Sequence, residues 1–546
     1  MSKTSDTYIN IIGAGLAGMS AAITLARKGC HVRLFSVQPS ERAQSNLAEG
    51  GINGALDVMG ENDSTEEHYT DTMKGGCYLA SPAMVKNLTS AAPDIILELA
   101  DLGVPFHMEE GHIVQRNFGG QKKKRTAYAK SSTGKVLTVA LINETRKYES
   151  QDIIKRYSHH RFEKLLLSDD GAGCLGVQVM DTYTGCRDIY YGYTIMAVGG
   201  LNGFFKGLTT GTTANTSLAQ AVLFDQGVEF ANLEFIQYHP TTVEITGKRM
   251  LISEAARGEG GRLFYYRDGS DNEGKEVEDS PVRCYFMEEK YGDRGNLMPR
   301  DVISKEIAML GKQVYLDLTG LSDDIWKNRL SDMREEIIHY MAVDPAVEPI
   351  MVSPGIHYFM GGILVDEFHR TNIEGLYAAG ECACAYHGAN RLGGNSLLGA
   401  IFGGKKSAQS LLEFLSSTEK TGIENTLILE KKSVDDFSYL NEKETDAKNH
   451  MEDILKKTLG IIRDGKTLEN AIEDIDSIEK NDYSDEMRVR LKLSKAMLMC
   501  ALNRRESRGA HVRADYPETD KSYQKTTVVR LVDKEIKVYF KEVDPE

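Results

Sequence analysis

Apolar positions along this chain follow two periods. The run Tyr8–Ile12 has strand length, GAGLAG follows at 13–18, apolar residues recur at helical spacing through Leu25 and Ala26, and a second apolar run covers Val32–Phe35. Strand, glycine turn, helix and strand make one βαβ unit. Two more strand-like runs end in glycine: Tyr193–Val198 before Gly199-Gly200, and 375–380 before Glu381. Parallel strands deliver such loops to a cofactor, so the predicted cofactor fold comes in separate pieces of sequence. The Gly-, Glu- and Arg-rich stretch 238–350 breaks this pattern and is predicted to be an inserted unit. After about residue 415 the period turns helical: Lys431 to Ser484 is charge-dense with Ile454, Leu455, Leu459 and Ile462 at helical spacing, and Met487, Leu491, Ala496, Met497 and Cys500 continue it. The methionine stripe predicts ordinary helix core.

Gly13, Gly15 and Gly18 sit where the strand becomes a helix, so a pyrophosphate can rest on backbone N–H groups at the helix start. That motif alone says only dinucleotide. A length of 546 residues predicts several folded units, and 41% hydrophobic with 27% charged residues is a globular composition. The net charge of −15 excludes a nucleic-acid partner, which needs clustered basic residues, and requires an anionic substrate to find local positive groups. The eight cysteines form no CxxC pair, so no iron–sulfur or zinc spacing is present and no metal is expected. No secretory pattern opens the chain and no stretch approaches the ~18 apolar residues of a membrane span, which predicts a soluble, cytoplasmic chain.

Nine blocks in order are GAGLAG (13–18), AEGGINGAL (48–56), QRNFGG (115–120), QYHPTT (237–242), SEAARGEGG (253–261), PRDVISKEI (299–307), HYFMGG (357–362), HGANRLGGNSLL (387–398) and RRESRGAHVRADYP (504–517). Together they resemble the flavoprotein subunits of succinate dehydrogenase and fumarate reductase, with L-aspartate oxidase a near cousin. The resemblance implies an α/β fold: a discontinuous Rossmann-like FAD-binding domain (1–237 and 351–415), an inserted α+β capping domain (238–350), a C-terminal helical domain (416–515) and a C-terminal extension (516–546). It also implies cofactor contacts at Gly13, Gly15, Gly18, Ser36, Gln44, Ser45, Gly50, Gly51, Gly199, Glu381, Ser396 and Leu397. Ser396 would equally serve as a helix N-cap.

Reducing fumarate needs a hydride at one alkene carbon, a proton at its neighbour, and both carboxylates held while negative charge develops. By resemblance Phe118, His239, Ser253, His357 and Arg391 bind this C4 dicarboxylate, Arg391 as a bidentate grip. Arg300 resembles the family's proton donor. A guanidinium is a weak acid, but a nascent carbanion is basic enough to take its proton. Glu254 and Arg257 resemble the relay that restores it; a structural ion-pair network is the alternative. Phe118 stands where aspartate oxidases carry a Glu for the substrate ammonium, which favours a substrate without an amine. The run Lys122–Arg125 would be a solvated loop or a steering patch.

Two departures matter. Many members attach FAD through a histidine where this chain has Gln44, so FAD is expected noncovalently, with a lower potential that favours reduction of fumarate. ANTSLAQA (214–221) stands where the family often has Thr-Gly-Asp-Gly. The resemblance further implies an iron–sulfur partner subunit, a membrane anchor reached through it, and a peripheral place on the cytoplasmic membrane face in electron transport of the anaerobic-respiration kind. Competing expectations are amine oxidation of the aspartate oxidase type and an electron-relay subunit without dicarboxylate turnover.

Overall fold

Five parallel strands in the order 376–378, 194–196, 8–12, 31–36, 154–158 form the central sheet of the computed structural model, which describes residues 8–129, 132–212, 214–267, 282–417 and 440–543. Its strands are buried on both faces, as in a Rossmann-like layer: Ile9, Ile11, Val32 and Leu34 on one face are each 0% exposed, and Ile12 and Phe35 on the other are 4% and 0%. The helix Leu16–Ala26 packs on one face beneath the long helix Asn395–Ser417. Gly404 allows that approach, since a Cβ there would meet the Ala17 carbonyl oxygen at 2.1 Å, while Gly18 lets the first helix sit tight on its own turn, where a Cβ would lie 1.8 Å from the Gly13 oxygen.

Residues 236–359 build a second body. Six strands pair in the order 248–251, 236–245, 350–359, 314–317, 262–267, 282–284. The body has its own apolar cluster, including Val243, Ile252, Leu263, Ile303, Leu316, Ile337 and Val352. Ile236–Ile245 and Ile350–Phe359 run antiparallel, with His239 opposite Gly355, and carry the chain between this body and the cofactor sheet.

The helices Glu442–Thr458, Gly465–Glu479 and Asp485–Asn503 follow. Met451, Leu455, Met487, Leu491, Met497 and Cys500 are fully buried, so the methionine stripe is core. These helices share one apolar cluster with the cofactor sheet rather than closing a core of their own. Ile462 departs from the predicted helix: it lies in a two-residue strand paired with Val512 and is exposed. The hairpin Lys525–Val532 and Glu535–Glu542 adds to Phe230–Ala231, stitching the last described residues onto the first body. Residues 431–439 of the charge-dense stretch and 544–546 of the C-terminal extension lie outside the described residues. Among the described residues no helix is long and apolar enough to cross a membrane, and no cluster of His, Cys, Asp or Glu is arranged to hold a metal ion.

Candidate functional site

One cleft of about 1760 Å³, partly open to solvent, runs from the end of the second parallel strand to the junction with the second body. Gly13, Gly15, Ser36, Gln44, Ser45, Gly50, Gly51, Gly199, Glu381, Ser396 and Leu397 line it, and so do Phe118, His239, Ser253, Glu254, Arg300, His357 and Arg391. Gly18 and Arg257 stand behind the wall.

At the glycine end the wall is backbone. Gly13 has φ +112°, and a Cβ there would lie 2.1 Å from the Ala197 oxygen, so only glycine fits the turn. Gly15 caps the helix Leu16–Ala26 without offering a side chain to the first N–H groups, although Leu16 N–H donates to Ser45 Oγ at 3.3 Å. Ser36 Oγ is buried with no partner in the chain. Unpaired N–H groups at a helix start and a buried unpaired hydroxyl at the strand end fit the phosphates and ribose of a dinucleotide. His160 also lines this end, a residue that no sequence motif marks. Gln44 Oε1 accepts the Thr212 N–H at 2.5 Å. In place of the family's Gly-Asp-Gly element, Asn215 donates to the Gly200 carbonyl at 2.6 Å and Ser217 takes the left-handed φ of 60°. Ser396 falls inside the first turn of Asn395–Ser417, not at its cap. Burial raises the Glu381 carboxyl to about 7, opposed by the Phe359 N–H it accepts at 3.1 Å.

At the other end the wall is charge. Glu254 Oε2 accepts from Arg300 Nε at 2.8 Å and pairs with its Nη2 at 2.7 Å, while Oε1 accepts the Gly119 N–H at 2.6 Å. Arg257, one helical turn on, brings Nη2 within 3.9 Å of Oε1 and donates through Nη1 to the Asn296 carbonyl, leaving Nε and Nη2 without a hydrogen-bond partner. Burial works against the Glu254 charge, yet Arg300 and Arg257 hold its carboxyl below the usual range. Burial lowers Arg257 to about 10 and Arg391 to about 9, with Arg300 adding to both shifts. Gly393 lets these side chains close in here, because a Cβ would press on Glu254, Phe118 and Arg300 at 3.1–3.3 Å and each would have to shift slightly.

His239 and His357 face each other edge to face at 5.3 Å. Burial first, then Arg300, pushes both imidazoles well below their ordinary pKa, so both are neutral at pH 7. Thr241 holds His239 Nδ1, with its N–H donating at 3.3 Å, and His239 Nε2 has no partner in the chain. Thr210 holds His357 Nδ1 at 2.9 Å. Arg391 differs from the expected open fork: Nη1 donates to the Leu392 carbonyl, Nη2 to Gln237, its guanidinium lies 4.5 Å from the Tyr358 ring, and Nε is unpartnered. Phe118 is 3% exposed, its ring against Gly50. In the run Lys122–Arg125, Arg125 is turned inside and neutralised by Asp63 and Asp71 at 2.8 and 3.0 Å. Gln237, within QYHPTT but carrying no charge to draw notice, is, like His160, a residue that sequence reasoning passed over.

The FAD binding domain family matches residues 9–397, and the fumarate reductase flavoprotein C-terminal family matches 485–546. The succinate dehydrogenase flavoprotein subunit of Bacillus subtilis is 35% identical over 97% of this chain and 94% of its own. L-aspartate oxidase of Pyrococcus furiosus is 32% identical over 96% of this chain and 98% of its own. A chain of E. coli quinol fumarate reductase superposes with a TM-score of 0.84 at 27% identity, covering 99% of this chain and 97% of that one. With its cleft carrying both a dinucleotide turn and a cationic end, this chain belongs to the family of FAD-dependent oxidoreductases formed by the flavoprotein subunits of succinate dehydrogenase and fumarate reductase.

Proposed function

We propose that this chain reduces fumarate to succinate, with the reverse reaction open to it. The observation that carries the reading is the Arg300–Glu254–Arg257 chain of contacts ending on the same cleft wall as Arg391 and two neutral histidines. FAD held by the glycine end would supply the hydride for one alkene carbon, or take it in the reverse direction. Arg391 and the unpartnered His239 Nε2 hold one carboxylate, and His357 and Ser253 the other. As negative charge grows on the second alkene carbon, Arg300 stabilises it and gives up a guanidinium proton, which completes the saturated C–C bond. Glu254, hydrogen-bonded to Arg300, returns a proton drawn through Arg257. Phe118 closes the pocket over the substrate and keeps water out.

The cofactor residues named from the sequence fit FAD: Gly13, Gly15 and the helix start for its phosphates, Ser36 for a ribose, and Glu381, Ser396 and Leu397 toward the ribityl chain and ring. Gln44 has no ring nitrogen with which to bond the flavin, so the cofactor is held noncovalently and its reduced form is the stronger reductant. The proposal keeps 238–350 as the cap, 1–237 with 351–415 as the FAD domain, and 416–515 and 516–546 as the helical domain and extension. It includes an iron–sulfur partner subunit that feeds the flavin and a peripheral, cytoplasmic place at a membrane through that subunit.

An amine-oxidising reading draws on the Pyrococcus furiosus relative. An ammonium needs a free carboxylate. Among the described residues the acids on the cleft wall are Glu49, Glu254 and Glu381. Glu254 is committed to arginines, and burial with Glu336 nearby pushes the Glu49 carboxyl well up, toward its neutral form. The test is an anaerobic assay of the purified flavoprotein with reduced viologen and fumarate, against oxidation of L-aspartate. Turnover of fumarate alone is expected; turnover of aspartate alone sinks the reading. Acid precipitation should leave the flavin in solution, and flavin in the pellet would refute the noncovalent assignment.

A further inference from the structure

We infer that Gln237 is a positioning residue that sets the spacing and tilt of Arg300 and Arg391, and that the Asn390–Asp301 pair fixes its orientation. The inference rests on the fumarate-reducing reading and deepens it. Gln237 is 0% exposed at the start of the strand Ile236–Ile245. Its Oε1 accepts from both guanidiniums, Arg391 Nη2 at 2.9 Å and Arg300 Nη1 at 3.3 Å. Two buried cations that repel each other thus share one neutral acceptor, whose dipole points its negative end between them.

The amide cannot turn over. Its Nε2 donates to Asn390 Oδ1 and to the Arg391 carbonyl, both at 2.7 Å, so both hydrogens are used. A flipped amide would aim two N–H bonds at two guanidiniums, donors against donors. Asn390 is oriented in turn, because its Nδ2 donates to Asp301 Oδ1 at 2.8 Å, and an ionised carboxylate accepts only. The chain of amides therefore has one polarity, set by a carboxylate at one end and the arginines at the other. Arg300 and Asp301 are consecutive at the start of the helix Arg300–Leu310, so both ends of the network close on the same helical turn. Arg391 and Asn390 are likewise neighbours, on the loop that leads into Asn395–Ser417. Gln237 lies across the gap and locks one pair against the other. A carboxylate gripped by Arg391 then has a fixed distance to the proton on Arg300, which is the geometry a proton transfer needs.

The test uses the FAD-loaded protein and two readouts. Steady-state fumarate reduction is expressed per bound flavin. Binding of malonate, a dianion with no CH–CH bond to oxidise, is read from the flavin absorbance. Gln237→Leu should lower kcat per flavin roughly 10- to 100-fold and weaken malonate about 3- to 10-fold. A merely structural role would lower flavin content and melting temperature but leave kcat per flavin and malonate affinity within about twofold of wild type, and that result overturns the inference. Asp301→Asn, which keeps an acceptor for Asn390, should retain at least about half of kcat, while Asp301→Leu should lose about tenfold; equal losses also overturn it. If the wild-type protein turns over no fumarate, the functional reading fails, and the malonate titrations still decide whether Gln237 holds the two arginines.

Discussion

The two ends of the cleft are both electropositive inside an acidic protein, but they are built from different materials. Around Gly13 and Gly15 the wall is backbone, its positive character comes from N–H dipoles at a helix start, and at Gly13 no side chain would fit. Around Arg300 the wall is formal charge, packed so tightly that two arginines share one amide oxygen. Backbone dipoles are part of the fold and need no partner to stay buried. Buried guanidiniums need one, and Glu254 and Gln237 supply it. The glycine end should therefore respond to mutation in cofactor occupancy and stability, and the charged end in rate.

The largest test of that contrast is Arg300→Ala. Fumarate reduction should fall by about 10²- to 10⁴-fold while flavin content stays at the wild-type level; loss of flavin in parallel would merge the two ends. Glu254→Gln should cost about 3 kcal/mol at pH 7, because two buried arginines lose their counter-charge. The Glu254 carboxyl is held below its ordinary value. Its stabilisation is therefore present above its unfolded pKa of about 4.3 and is lost as the pH falls through the lower folded value. Denaturant melts of wild type and variant should converge below about pH 4, and a pH-independent gap would count against the pairing. Gly18→Ala places a Cβ 1.8 Å from the Gly13 oxygen, so it should destabilise by about 1–3 kcal/mol and yield colourless protein. The mildest change is Ser36→Ala: FAD should bind about fivefold more weakly with the melting temperature of the flavin-free protein unmoved, since its hydroxyl has no partner in the chain.

Much of this was legible in the sequence, and unevenly. The parallel strands and the glycine turn announce themselves by period and by residues that tolerate positive φ. The arginines and histidines stand in motifs whose resemblance names them, and the methionine stripe reads correctly as core. Gln237 escaped because an uncharged amide bonds partners 63 and 154 residues away, a distance that no local pattern encodes. The run Lys122–Arg125 looks uniform, yet Arg125 alone turns inward, because its acidic partners come from the segment around the helix Thr65–Gly75. Where the sequence lacks Gly-Asp-Gly, a hydrogen bond from Asn215 to the Gly200 carbonyl and a positive φ at Ser217 shape the turn, neither of which a sequence motif indicates.

The parallel sheet takes its edge strand from residues 376–378, and the hairpin that reaches Phe230–Ala231 comes from 525–542. A ribosome adding about 5–20 residues per second needs roughly 20–75 s to reach the first of these. Until then the glycine turn already has its flanking strands 31–36 and 194–196, but Glu381, Arg391, Ser396 and Leu397 do not yet exist and one wall of the cleft is missing. The complete lining of the cleft therefore forms only after synthesis has passed Ala400.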